Sequence, residues 1–186
     1  SRLWNLFIDS FPKMFIRGLT VTIPLTAIAF SLAMVIAVIV ALVQFANIKV
    51  LKQICRFYIW IFRGTPLLVQ LFIVFFGLMN VGLVLEPFLA AVIVFALNEG
   101  AYGAETVRAS LESVPSGQLE AGQCAGLSYL QTIFRIVLPQ AMRTAFPSLF
   151  NALISMLKDT SLAATITVTE MFKVSQQIVA RTYEPL

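Results

Sequence analysis

The fold of this protein is decided by residues 18–48, GLTVTIPLTAIAFSLAMVIAVIVALVQFANI, which include no charged side chain. About 20 apolar residues in a helix cross the hydrocarbon core of a bilayer, which is about 30 Å thick. The run exceeds that length, and it is far longer than the apolar core of a secretory signal peptide, about 7–15 residues. Residues 64–85 form a second uncharged run. Both runs therefore predict membrane-spanning helices.

The composition of the whole chain predicts an all-α membrane protein. Hydrophobic residues make up 59% and charged residues 12% of the 186 residues, whereas globular domains average about half and about a quarter. The chain has no histidine, which excludes the usual zinc sites and the catalytic triads built on histidine. Cys55 and Cys124 form no metal-binding pattern and are expected to be reduced thiols on the cytoplasmic side. No cofactor and no nucleic-acid-binding face is predicted.

The hydrophobic segments predict four spans, over residues 18–44, 59–80, 87–107 and 145–168. Residues 1–17 mix aromatic and charged side chains, a composition that predicts a short helix at the membrane interface. Pro24 is expected to kink the first span. Residues 169–186 are polar and contain no further span.

The positive charges of the loops favour one orientation in the membrane, because cytoplasmic loops are enriched in lysine and arginine. The segments that follow the first and third spans contain six basic residues: Lys49, Lys52, Arg56, Arg108, Arg135 and Arg143. The opposite side receives three: Arg2, Lys13 and Arg17. We therefore predict that both segments are cytoplasmic and that the amino end lies outside.

A short helix is predicted in the second cytoplasmic segment, over residues 115–126. Pro115 suits a first helical turn, Ser116 is a common N-cap, and Gly126 is a typical helix stop. The helix is too short to span a membrane, and it combines one acid with small residues: Glu120, Ala121, Gly122, Ala125 and Gly126. Such a surface suits the close approach of another protein. Local physics leaves an ordinary loop helix as the alternative.

The wider pattern around this helix has fixed spacing: Glu-Ala, four residues, Gly, nine residues, then Ile-x-Leu-Pro. It is matched at Glu120, Ala121, Gly126, Ile136, Leu138 and Pro139. The pattern resembles the signature loop of the permease subunits of bacterial ABC importers, whose coupling helix fits a cleft on the cytoplasmic ATPase. Gly122 stands where most members have alanine, and its small size is expected to preserve docking.

Further segments are similar to the branch of this family that imports polar amino acids. They are FRGTPLLVQL at residues 62–71, AYGAETVRASLESVPSGQ at 101–118, LPQAMRTAFPSLFN at 138–151 and KDTSLA at 158–163. Segment by segment, the chain looks most similar to cystine-importer permeases. The resemblance implies a bacterial plasma-membrane protein with the type I ABC importer permease fold and about five spans. The fifth span is expected to be missing from this chain.

The resemblance also implies a single transmembrane domain over residues 1–186 and an ATPase-coupling site at Glu120, Ala121, Gly122 and Gly126. The implied partners are cytoplasmic ATP-binding subunits and an extracytoplasmic substrate-binding protein, with the lipid bilayer around the chain. Four or five helices do not readily enclose a path for an amino acid, so a second permease copy is expected, in a homodimer or a heterodimer with a close relative. The chain has no phosphate-binding Gly-x-x-x-x-Gly-Lys-Ser/Thr loop, so any ATP hydrolysis is assigned to a separate subunit.

Polar residues inside the predicted spans are candidates for the substrate path, because ionisable groups are rare in membranes and usually functional. The candidates are Glu99, Lys158, Asp159, Thr160 and Ser161. A zwitterionic amino acid requires charges of both signs and hydroxyl groups, which residues 158–161 supply. The alternative is that this cluster braces the fold or a gate between subunits.

A second charged group is interpreted as a structural brace. Glu105 and Arg108 are three residues apart and Arg108 and Glu112 are four apart, which are the spacings of helical ion pairs. Arg63 is expected near the inner interface, where it either reaches lipid headgroups or caps a helix–loop junction.

Three functions are compatible with these features. The first is a permease subunit of an ATP-driven importer of a polar amino acid. The second is a gradient-driven carrier in which Glu99, Lys158 and Asp159 relay an ion. The third is a membrane anchor without a transport path.

Overall fold

The computed structural model describes residues 2–166 and 171–182, and every regular element within them is a helix. Helix α1 (Arg2–Arg17) passes through a π-helical turn (Gly18–Thr22) into α2 (Ile23–Phe45). The predicted interfacial helix and the predicted first span are therefore one continuous helical stretch. Its part Ile8–Phe45 is long and apolar enough to cross a membrane.

The π-helical turn ends at Thr22, two residues before Pro24. The backbone N–H of Ile23 donates to the carbonyl of Gly18, five residues back. Proline has no N–H, and in an α-helix its ring clashes with the carbonyl four residues earlier. The wider turn accommodates both defects, so the distortion expected at Pro24 takes this form and the helix continues through it.

The prediction that the second span is a single helix over residues 59–80 is wrong. The chain instead forms α3 (Lys49–Gly64), an interruption at Thr65 and Pro66, then α4 (Leu67–Phe72), a π-helical turn (Ile73–Gly77) and α5 (Leu78–Asn80). Pro66 has extended backbone angles, φ −62° and ψ 139°. Helical geometry is also disfavoured for Thr65, because this residue precedes a proline. The amide of Gln70 donates to both the carbonyl and the hydroxyl oxygen of Thr65, at 3.0 and 2.8 Å.

The remaining elements begin with α6 (Pro87–Ser113), which confirms the third predicted span and extends it by six residues. The others are α7 (Gly117–Cys124), α8 (Tyr129–Thr132), a π-helical turn (Ile133–Val137), α9 (Leu138–Asp159), a 3₁₀ helix (Thr160–Ile166) and α10 (Met171–Thr182).

The fourth predicted span, residues 145–168, differs from the structure. Helix α9 begins at Leu138 and gives way to the 3₁₀ helix after Asp159, and residues 167–168 lie outside the described part of the chain. Within residues 2–166 and 171–182, only Ile8–Phe45 and Pro87–Ser113 meet the length and hydropathy of a span, with a third if α3 and the Leu67–Asn80 stretch are counted together. Polar residues along α9, such as Arg143 and Asn151, lower its hydropathy.

The chain divides into two compact units. The first comprises Ser1–Ser31, Thr65–Ala96 and Ile154–Leu186, and the second comprises Leu32–Gly64 and Leu97–Leu153. In the first unit α1 packs against α10, and the Glu86 carboxylate accepts bonds from the backbone N–H groups of Phe88 and Leu89 at the start of α6. The single transmembrane domain over residues 1–186 stays a prediction.

The core of the second unit depends on small residues where helices approach closely. Ala33, Ala37 and Ala41 recur at every fourth position of α2 and are completely buried. A Cβ atom added to Gly103 of α6 would lie 3.1 Å from the Cβ of Ala37. Small residues at such spacing let helix backbones approach, which is how membrane helices gain van der Waals contact.

Helix α3 joins this core through polar bonds to α6. The hydroxyl of Tyr58 donates to the carbonyl of Leu97, and the amide of Asn98 donates to the carbonyl of Phe62 at 3.3 Å. A Cβ atom on Gly100 would lie 2.9 Å from both the Tyr58 hydroxyl and Cγ2 of Ile36. Gly100 therefore sets the distance at which α2, α3 and α6 pack.

We expect Gly100→Ala to destabilise the protein by about 1–3 kcal/mol, because the added methyl group overpacks the core. The measurement is thermal unfolding of the detergent-solubilised protein, followed by loss of the monodisperse chromatographic peak. Gly64→Ala is the matched control, because a Cβ atom at Gly64 meets nothing within 4 Å. Equal melting temperatures for the two variants would show that Gly100 does not set this packing.

Candidate functional site

The predicted coupling helix corresponds to α7 (Gly117–Cys124), eight residues long and shorter than the predicted range 115–126. The expectation that the Ser116 hydroxyl caps it is wrong, because Ser116 has helical backbone angles and makes no side-chain cap bond. A side-chain N-cap normally requires extended backbone geometry. The Ser116 carbonyl instead accepts the N–H groups of Leu119 and Glu120, at 2.9 and 3.3 Å.

The end of α7 confirms the predicted stop at Gly126. Gly126 has φ +77°, a left-handed conformation that glycine adopts without steric cost. Its N–H donates to the carbonyl of Gln123 at 2.9 Å, and the N–H of Leu127 donates to the carbonyl of Gly122 at 3.0 Å. These two bonds form a Schellman motif, which closes the helix.

The structure separates the four predicted coupling residues into two groups. Glu120, Ala121 and Gly126 are exposed, whereas Gly122 is buried. A Cβ atom on Gly122 would lie 2.4 Å from Cγ2 of Thr132 and 2.6 Å from its Oγ1. Gly122 therefore faces the interior of the chain, and Thr132 leaves no room for a side chain at this position.

The inner face of α7 is attached to the rest of the second unit. The side-chain amide of Gln140 in α9 donates to the side-chain oxygen Oε1 of Gln118 at 3.3 Å, and Leu119 packs against the buried core. The helix that follows, α8, starts with a capping box in which Ser128 and Gln131 exchange bonds of 2.9 and 3.3 Å. This capping box was not predicted, although Ser-x-x-Gln is its sequence signal.

The predicted ion pairs of α6 are confirmed. Arg108 Nη2 lies 3.0 Å from Glu105 Oε2, and Arg108 Nη1 lies 2.7 Å from Glu112 Oε1. Arg63 of α3 joins them, with Nη1 3.7 Å from Glu105 Oε2 and the guanidinium 5.2 Å from the centre of the Tyr102 ring. Arg63 thus contacts side chains of α6, which neither expectation for this residue had named, and its partners lie about 40 residues away and have no local sequence signal.

A polar cavity of about 410 Å³ adjoins this ion-pair group. It lies entirely within the second unit and is lined by residues of α2, α3 and α6: Gln44, Lys52, Arg56, Ile59, Trp60, Arg63, Glu105, Arg108 and Glu112. Four of these side chains are cationic and two are carboxylates, so the cavity carries an excess of positive charge.

The predicted substrate-path residues fall in both units. Lys158 and Asp159 end α9 in the first unit, and both are exposed. Thr160 is buried at the start of the 3₁₀ helix and donates its hydroxyl to the carbonyl of Leu157 at 2.7 Å, while Ser161 is half-buried. Glu99 is half-buried on α6 in the second unit. Residues 158–161 thus all belong to the first unit, whereas Glu99 belongs to the second unit.

Residues 33–183 match the family described as the binding-protein-dependent transport system inner membrane component. This chain belongs to that permease family. The motif-based resemblance is therefore confirmed, together with the all-helical fold and the location in a bacterial inner membrane. ATP hydrolysis in such transport systems belongs to a subunit separate from the permease component.

Individual relatives agree with this assignment. The chain is 45% identical over 183 residues to the L-cystine transport system permease protein TcyB of Bacillus subtilis (strain 168), which covers 98% of this chain and 78% of TcyB. It is 44% identical over 168 residues to TcyL of the same organism, also an L-cystine transport system permease protein, with 84% and 70% covered. A crystal structure of an amino acid ABC transporter with histidines has a TM-score of 0.84 at 34% identity, covering 96% of this chain and 84% of that chain.

We expect Gly122→Ala to destabilise the protein by about 1–3 kcal/mol, because its methyl group would overlap Thr132. Adding Thr132→Ala removes the two nearest atoms and should recover part of the loss, which a double-mutant cycle of melting temperatures measures. Gly117→Ala on the same helix is the control, since it meets nothing within 4 Å. Additive effects of the two substitutions would contradict the contact.

The two carboxylates of the ion-pair group should differ in their contribution to stability. Glu105→Gln weakens the pairs with both Arg63 and Arg108 and leaves the two cations close together, so we expect a loss of about 1–3 kcal/mol. Among residues 2–166 and 171–182, Glu112 pairs with Arg108 alone, and its side chain is 55% exposed, so Glu112→Gln should cost less than about 1 kcal/mol. Thermal unfolding of both variants in detergent checks the order, and the reverse order would contradict it.

Proposed function

We propose that this chain is the membrane-spanning subunit of an ATP-driven importer that moves a polar amino acid, L-cystine, inward by alternating access. The observation that carries the proposal is the arrangement of α7. It exposes Glu120 and Ala121 on a short helix whose opposite face is bonded to the chain. Membership in a binding-protein-dependent transport family supports the same function.

The attachment of α7 makes it suitable for transmitting force. The Schellman motif at Gly126 and the capping box at Ser128 fix both sides of the turn after α7. The Gln118–Gln140 bond and the contact between Gly122 and Thr132 link α7 to α9 and α8. A partner that displaces α7 would therefore displace the helices joined to it, since closely packed elements move as units.

The proposed partners follow from this role. Two cytoplasmic ATP-binding subunits would each receive one α7, with Glu120 as a charged contact and Ala121 as a close contact. Gly122 and Gly126 would act by shaping the helix and its end. An extracytoplasmic binding protein would deliver substrate, and a second copy of this chain would complete a homodimeric core. ATP-driven closure of the ATPase pair would bring the two α7 helices together and open the path outward, and hydrolysis would reverse this movement.

The substrate proposal rests on the relatives and on residues 158–161. TcyB and TcyL are described as L-cystine transport system permease proteins, and L-cystine carries both ammonium and carboxylate groups. The exposed Lys158 and Asp159, with the hydroxyl groups of Thr160 and Ser161, offer complementary charges and hydrogen bonds. Glu99 is proposed as a further path residue on α6. We propose that all of these residues belong to one transmembrane domain over residues 1–186.

We expect Glu120→Lys to reduce ATP-dependent uptake of labelled L-cystine at least tenfold in vesicles that contain the complete transporter. The reason is that reversing an exposed charge places like charges together at a complementary interface, which costs several kcal/mol. Insertion, measured as the amount of folded protein in the membrane, should remain normal. Arg143→Glu is the matched control, an equal charge reversal at an exposed position of α9, and should retain uptake. Normal uptake by Glu120→Lys would contradict the role of α7.

The alternative of a gradient-driven carrier can be tested on the purified chain alone, because the ATP-driven proposal expects no uptake without its partner subunits. A carrier would take up L-cystine under a proton or sodium gradient without ATP or a partner subunit. Membership in a family of binding-protein-dependent transport components does not favour this alternative. Uptake by the chain alone under such a gradient would replace the ATP-driven proposal.

A further inference from the structure

The cavity beside the ion-pair group has unused capacity to bind an anion. Both carboxylates on its wall are already engaged by Arg108, at 3.0 and 2.7 Å. Lys52 donates to the neutral oxygen of Asn47 at 2.6 Å. Arg56 forms no ion pair with any residue in the described part of the chain. The positive charge of Lys52 and Arg56 therefore remains uncompensated.

Gln44 supplies an independent indication of a ligand. Its side chain lines the cavity and is only 7% exposed. Its amide lies within hydrogen-bonding reach of the Glu105 carboxylate, although no bond from the buried Nε2 atom has normal geometry among residues 2–166 and 171–182. A side-chain amide carries two N–H donors, so Glu105 can accept at most a part of what Gln44 offers. An anionic oxygen in the cavity would satisfy this donor.

The surroundings of the cavity suit a lipid. Trp60 lines it while remaining 72% exposed, and its ring stacks on the exposed ring of Phe57 at 6.1 Å. Tryptophan is enriched at the depth of the lipid headgroups, and basic pockets between membrane helices on the cytoplasmic side bind anionic headgroups. The loop charges predict that this side of α3 is cytoplasmic.

We propose that this cavity binds the phosphate of an anionic phospholipid. Arg56 and Lys52 contact the phosphate, Gln44 donates a hydrogen bond to it, and the acyl chains lie along Phe57 and Trp60. Arginine suits this role because its planar guanidinium donates two parallel bonds to phosphate oxygens. None of the residues that line the cavity belongs to the proposed substrate path or to α7.

The test measures the lipid retained by the full chain. The protein is purified in detergent, mixed with equal amounts of phosphatidylglycerol and phosphatidylcholine, and examined by native mass spectrometry. We expect preferential retention of phosphatidylglycerol. In the Lys52→Gln/Arg56→Gln variant its affinity should fall roughly 30-fold, since each basic residue near the headgroups contributes about 1 kcal/mol. Both side chains are at the surface of α3 or half-buried, so folding should persist.

The matched control is Lys49→Gln/Arg143→Gln, which removes the same charge from exposed positions that do not line the cavity. It should retain the wild-type preference, and an equal loss in both variants would overturn the proposal in favour of general surface charge. Gln44→Leu should also weaken retention, with folding verified by its helical circular dichroism, and unchanged retention would remove the buried amide from the site.

A final experiment distinguishes a phospholipid headgroup from free inorganic phosphate as the bound anion. Inorganic phosphate is added at increasing concentration to the lipid-bound protein. We expect phosphatidylglycerol to remain bound, because its acyl chains add apolar contact that a free ion lacks. Displacement of the lipid by inorganic phosphate at matched concentration would assign the cavity to a free anion and overturn the lipid proposal.

Discussion

Close contact between helix backbones is the constraint on which the second unit depends. In hydrocarbon there is little hydrophobic gain in bringing helices together, so association depends on van der Waals contact and hydrogen bonds. The completely buried alanines of α2 and the glycines of α6 provide that contact. Tyr58 and Asn98 then add bonds between α3 and α6. Larger side chains at these positions would separate the helices that carry the ion pairs and the polar cavity.

The candidate site is built on this core by local backbone geometry. Helix α7 has only eight residues, and isolated helices of that length are unstable in water. Its order comes from the left-handed Gly126, the capping box at Ser128 and the contact between Gly122 and Thr132. The same contacts leave Glu120 and Ala121 on the surface. Rigidity on one face and exposure on the other thus have a common origin.

The sequence predicted features that depend on neighbouring residues. The uncharged run over residues 18–48 identified the helix that includes Ile8–Phe45, whereas the run over residues 64–85 falls on an interrupted helical stretch. Helical spacing identified the pairs of Arg108, and Gly126 identified the end of α7. The effect of each proline on its helix was not predictable from the sequence. Pro24 and Pro147 lie inside helices, whereas Pro66 separates α3 from α4. The partners of Arg63 and Gly122 were not predictable, because each contact joins residues brought together only by folding.

The interruption at Thr65 and Pro66 has a consequence for biogenesis. The Leu67–Asn80 stretch rises about 21 Å as a helix, less than the hydrocarbon thickness, and α3 before it carries Lys49, Lys52, Arg56 and Arg63. Neither piece has the length and apolarity that the translocon recognises in an autonomous span. Partitioning of this region into lipid therefore depends on neighbouring helices that are already inserted, so that the order of synthesis along the chain becomes part of its assembly.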